Sequence, residues 1–182
     1  VSYRDSNNRT YSGLHADLEL AASVIRSDLG VGVVTIDVGG WDNHTNQGVG
    51  PGGGYSNRVG NLSDALATFY KDIVGAGYED DVAVVVQTEF GRQVQENANQ
   101  GTDHGLANPM FLLGSSNRIR AGIRGDFPGF IDTPGNAFRP TRDFRDVMIA
   151  AAHGVLGNPG FGGGQSDIFP GYNYASIPTL LK

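Results

Sequence analysis

Apolar residues recur at helical spacing from Leu14 onward: Leu14, Leu18, Ala21, Ala22 and Ile25 share one face, and Gly30 ends the pattern. The spacing predicts a helix over 14–28. Val31–Val38 is short, β-branched and apolar, which predicts a strand covered on both faces. A long Gly- and Asn-rich loop over 39–57 follows. Val59, Leu62, Leu66, Phe69, Tyr70 and Ile73 then predict a second helix over 58–75, stopped by Gly75 and Gly77. Asp81–Thr88 is the clearest buried strand, and Pro109–Leu113 reads as a third. Residues 118–131 read as an edge hairpin turning at Gly122 and Gly125. A last helix is expected from Thr141, as N-cap, to Leu156 through Phe144, Val147, Met148 and Ala151.

This order predicts an α/β fold: a mostly parallel sheet with helices on both faces. Ligands in such folds bind beyond the carboxyl ends of the strands, where the loops after Val38 and Thr88 lie. Residues 1–157 are expected to form the domain, with 158–182 as a Gly/Pro/aromatic tail packed on it.

The 182 residues suffice for one core, and the net charge of −6 without a basic run argues against a nucleic-acid or anionic-membrane binder. Without cysteine, disulfides and thiolate metal sites are excluded. No apolar run approaches the length of a membrane span, and no signal peptide is evident. The chain starts at Val1 without Met, which reads as a processed chain or a fragment. The 28 glycines concentrate at 48–54 and 157–164, as turning loops.

Three glycine-bearing loops carry the candidate chemistry. Asp42 and His44, after Gly39-Gly40-Trp41, offer a carboxylate and an imidazole two residues apart, the donors a divalent ion takes. An Asx-turn beside a solvent histidine is the plain alternative. Asp37 is a rival carboxylate or a partner that orients His44. Asp103 and His104 form a second pair whose side chains diverge, with His104 the preferred ligand. Glu89 and Arg92 flank Phe90-Gly91 after the strongest strand. Glu89 fits a metal ligand, a base or an ion-pair partner of Arg92, and Arg92 fits an oxyanion clamp for phosphate or sulfate.

Other polar residues read as structural. Asn108 is a weaker candidate, and Arg142 and Arg145, interleaved with Asp143 and Asp146, read as a solvated helix face. His153 suits the last turn of its helix. His15 has no metal-spaced partner, and Trp41 walls a pocket or packs. Phe161, Phe169, Tyr172 and Tyr174 read as tail anchors.

The order Gly-Gly-Trp-Asp-Asn-His-Thr-Asn-Gln (39–47), Thr-Glu-Phe-Gly-Arg (88–92), Gly-Thr-Asp-His-Gly-Leu-Ala-Asn-Pro-Met-Phe-Leu-Leu-Gly (101–114) and Asp-Phe-Arg-Asp-Val (143–147) resembles an exported, sulfatase-like domain-of-unknown-function family of the alkaline phosphatase superfamily. The resemblance covers about residues 14–157 and implies the C-terminal half of an alkaline-phosphatase-like fold, with the nucleophile and one metal-binding Asp in the other half. It implies export, to the periplasm, cell surface or exterior. It implies one metal on Asp42, His44 and His104. The second-metal motif falls on Glu89-Phe90-Gly91, where Phe90 replaces a histidine, or on Asp103-His104-Gly105.

The function expected is a metal-dependent hydrolase of phosphate or sulfate esters, using a zinc-like divalent ion, with calcium and manganese left open. Glu89 and Arg92 are the expected catalytic groups, and Asp42, His44, His104, Glu89 and Asp103 the expected metal ligands. The alternative is a non-catalytic exported structural or assembly protein, paired with an N-terminal half or with itself. A third reading uses the metal only to staple the long loop.

Overall fold

A computed structural model describes residues 1–3, 13–48, 50–125, 129–131, 136–156 and 169–173. The glycine-rich stretch 157–164, Phe161, Tyr174 and part of the expected 118–131 hairpin lie outside them. The chain divides into two compact units, Val1–Tyr78 with Glu96–Thr102, and Glu79–Gln95 with Asp103–Lys182.

The first unit is built on two helices, α1 (Leu14–Arg26) and α2 (Gly54–Ala76). The face read from the sequence is the buried one: Leu14, Leu18, Ala21 and Ala22 on α1, and Ala65, Phe69 and Ile73 on α2. His15, near the start of α1, meets Asp64, and Arg26 at its end meets Asp72, so the two helices run in the same direction at their contact. A helix pair with that orientation needs a long return, and residues 27–53 supply it. Tyr3 adds its ring to this core and donates to Asp72 Oδ2 at 3.1 Å. Burial and the Asp72 bond push the Tyr3 phenol far up. α2 ends where expected, because Gly77 turns left-handed (φ 80°) and Tyr78 N–H reaches back to Ile73 C=O at 3.1 Å.

Val31–Val38 does not form the expected strand; it joins no ladder among the described residues. Val34–Asp37 instead runs beside α1 and lines an open groove with Asp17, Leu20, Ala21 and Val24. Val33 stays 75% exposed. An apolar β-branched run becomes a strand only where a backbone partner meets its amides, and none does among the described residues.

The second unit holds β1 (Ala83–Val86), β2 (Gly91–Arg92), β3 (His104–Gly105), β4 (Phe111–Gly114), β5 (Phe130–Ile131), β6 (Ala137–Phe138) and α3 (Phe144–Leu156). β1 pairs with β4, β2 with β3 and β5 with β6, all antiparallel. A Gln93–Ala137 bridge links β2 to β6. Ala150 of α3 is buried against Leu112 and Val147.

These ladders correct the expectation of a parallel sheet with helices on both faces. A parallel pair requires a crossover, usually helical. Residues 87–110, between β1 and β4, contain no helix and fold into the β2–β3 hairpin, so the chain returns antiparallel. α3 begins at Phe144, with Asp143 rather than Thr141 capping it: Asp143 Oδ1 accepts from Arg145 N–H at 2.9 Å.

Candidate metal centre

In the first unit, Asp42 Oδ1 and His44 Nε2 stand 2.9 Å apart. Both belong to the loop after Gly39-Gly40, and Trp41 stands edge-on to Tyr55, with ring centroids at 6.1 Å. The loop is held from a second segment distant in sequence. Asn46 N–H donates to Asn99 C=O and Gln47 N–H to Gln100 C=O, each at 2.9 Å. Asn97 Nδ2 donates to His44 C=O at 3.0 Å, and Thr102 Oγ1 donates to Gln47 Oε1 at 2.8 Å. Asp37, the rival carboxylate, faces the groove beside α1.

In the second unit, Arg92 and His104 are register partners across the β2–β3 ladder. The His104 ring stacks on Phe90 with centroids 3.8 Å apart, and the Arg92 guanidinium carbon lies 4.9 Å from the centre of the same ring. Phe90 therefore gathers a cation and an imidazole at one aromatic platform. Thr88 Oγ1 donates to Phe90 C=O at 2.9 Å and accepts from Asn108 Nδ2 at 2.8 Å, fixing the turn that carries Phe90. Glu89 is exposed on that turn. Asp103 C=O accepts from Gln93 N–H at 2.9 Å. Asp103 is exposed and immediately precedes β3.

Of the residues read as a solvated face, Arg142 is exposed, whereas Asp143, Arg145 and Asp146 are hydrogen-bonded at the start of α3. Arg145 forks onto Asp143 at 2.8 and 2.7 Å, which holds the Asp143 carboxyl below its usual range. Asp146 is buried. His15, read as structural, is buried with Nε2 3.2 Å from Asp64 Oδ2.

Sequence reasoning missed Asn97 and gave no role to Gln47, Gly101 and Thr102, although these three stand in the 39–47 and 101–114 motifs. For Asn97 the signal was the turn-rich Asn97-Ala98-Asn99-Gln100-Gly101 stretch, which says loop and not what the loop touches.

No curated protein and no solved structure matches the chain. The match is to a family of unknown function and gives no sulfatase or alkaline phosphatase superfamily assignment, so the assignment made from the motif order is corrected to that family alone. No helix among the described residues is long and apolar enough to cross a membrane. Residues 14–150, most of the chain, match the model of a protein family of unknown function, DUF1501, and the chain belongs to that family.

Proposed function

We propose that this chain is a metal-dependent hydrolase of phosphate or sulfate esters, with Asp42, His44 and His104 as the ligands of a divalent ion. The observation that carries the reading is the convergence of Asp42 Oδ1 and His44 Nε2 to 2.9 Å on a loop braced by residues 97–102. Two donors at about 2.0–2.1 Å from one ion sit about 3 Å apart at a right angle and about 3.4 Å apart at the tetrahedral angle. The pair needs to open by only a few tenths of an ångström to share an ion. His104 enters the ligand set as the histidine of the Gly-Thr-Asp-His-Gly motif at 101–105.

One carboxylate and two imidazoles suit a zinc-like ion. Such an ion supplies Lewis acidity toward the ester oxygen and helps ionise a nucleophile. Arg92, beside His104 on the ladder, presents a planar fork that fits phosphate or sulfate, and the Phe90 face limits its swing. Glu89, exposed one residue before Phe90, takes the role of base.

Metal content per chain, measured by plasma mass spectrometry on protein purified without chelators, tests the reading. The expected result is about one divalent ion per chain, lost in His44→Ala and in His104→Ala together with ester turnover. Metal-free wild-type protein overturns it.

A second reading, a non-catalytic assembly protein, is favoured by the apolar run Val31–Val38, where Val31, Val33 and Val34 are exposed. It predicts concentration-dependent self-association that Val33→Lys abolishes, without any turnover.

A further inference from the structure

We infer that Asn97 and Gly101 are positioning residues that set the aim of the His44 imidazole by clamping its peptide, an inference that rests on the metal-centre reading above. Asn97 uses both ends of its amide. Its Oδ1 accepts from Asn99 N–H at 2.9 Å and Gly101 N–H at 3.1 Å, which closes its own loop. The Asn97–Gly101 loop is closed again by Asn97 N–H donating to Gly101 C=O at 2.8 Å. Its Nδ2 is then directed to His44 C=O at 3.0 Å.

Gly101 supplies an independent observation on the same peptide. It is buried, and a Cβ at that position would lie 2.3 Å from His44 O and 2.8 Å from Thr45 N. Every other residue would push the His44–Thr45 peptide away. With Asn46 and Gln47 also bonded to this loop, the His44 backbone is held by a hydrogen bond on one side and by close packing on the other. A ligand's orientation depends on such supports, whose loss weakens metal binding by about 10–100-fold.

Asn is the residue this position requires, because it donates and accepts at once. Asp keeps the two bonds that close the loop and sets a carboxylate oxygen against the His44 carbonyl. Asn97→Asp therefore separates holding the loop from holding His44.

The test is titration of the full chain with Co²⁺ alone, following the visible absorption band, for wild type, His44→Ala, Asn97→Asp, Asn97→Ala and Gly101→Ala. Thermal melting of each metal-free protein is followed in parallel. Asn97→Asp and Gly101→Ala are expected to bind Co²⁺ about 10–100-fold more weakly, with a changed band shape. The metal-free melting of Asn97→Asp is expected to stay close to wild type. Wild-type affinity and band shape in Asn97→Asp and Gly101→Ala overturn the inference while leaving the metal centre standing. So does a loss of affinity in Asn97→Asp that only tracks a loss of metal-free fold. A wild-type chain that binds no Co²⁺ overturns the metal centre itself, and the inference with it.

Discussion

Tyr172 donates its phenolic hydrogen to Asp146 Oδ1 across 2.7 Å, and the Arg145 guanidinium carbon lies 3.8 Å from the centre of the same ring. Residues 169–173 are thereby fastened to the first turn of α3, where Phe169 also stands edge-on to Phe144. Desolvation first, and the bond to Asp146 second, push the Tyr172 phenol up to about 12. The unfolded chain loses this proton near pH 10 and the folded chain does not, so the folded state holds more protons between the two values. The contribution is complete below about pH 10 and is lost as pH rises toward 12. Tyr3 shifts in the same direction, so the measurement is a difference. Urea unfolding of wild type and Tyr172→Phe from pH 8 to 12 is expected to show wild-type stability falling more steeply above pH 10. Parallel curves would mean that the bond does not persist in solution.

Ile73 and Phe69 close the α1–α2 interface, and Ile73 is fully buried. Ile73→Ala removes apolar volume where neighbouring helix backbones cannot collapse into the gap. The expected cost is about 2–5 kcal/mol by denaturant unfolding. Val74→Ala, one position along on the exposed face, is expected to stay within about 0.5 kcal/mol. Equal costs would place the helix face wrongly.

The same pair of helices shows what was legible in the chain. Apolar spacing is local, so Leu14, Leu18, Phe69 and Ile73 declared their face without help from distant residues. Asp42 and His44 were legible for the same reason, being two residues apart on a glycine-led loop. Val31–Val38 was not, because an apolar run is a strand only if another backbone reaches it. Strand direction was partly legible: the absence of a helical pattern between Thr88 and Pro109 already argued for an antiparallel return, and the α/β reading gave it too little weight. The grip of Asn97 on His44 spans 53 positions and leaves no pattern in either segment. The motif order pointed to a family of unknown function, but the superfamily attached to it did not follow from those residues.

Arg92 gives a prediction that separates charge from shape. In the proposed reaction the planar guanidinium donates to two oxygens of the ester anion at once in a fixed fork, which an ammonium cannot do. Arg92→Lys, although it keeps the charge, is expected to lower kcat/KM about as severely as Arg92→Ala, by about 10²-fold or more. Both variants are expected to retain bound metal, since Arg92 is not a ligand. Near-wild-type turnover in Arg92→Lys would reduce the role to simple charge attraction.

Metal removal should act on stability as well as on turnover, because an ion held only by the folded chain adds RT ln(1 + [L]/Kd) to its stability. With free ion at about 100 times Kd, the gain is about 2.7 kcal/mol. Scanning calorimetry with added Zn²⁺ and then with excess chelator is expected to show a higher Tm in the first condition. The difference should vanish in His44→Ala, which lacks the imidazole but keeps the peptide that Asn97 holds. The loop itself is braced by bonds that involve no metal, among them Asn46 to Asn99 and Gln47 to Gln100. The metal-free chain is therefore expected to unfold in the same cooperative step at a lower temperature, with no separate loss of the loop. A separate low-temperature transition on chelation would instead make the ion a staple for the loop, and a Tm indifferent to both additions would mean that Asp42 and His44 form an ion pair and nothing more.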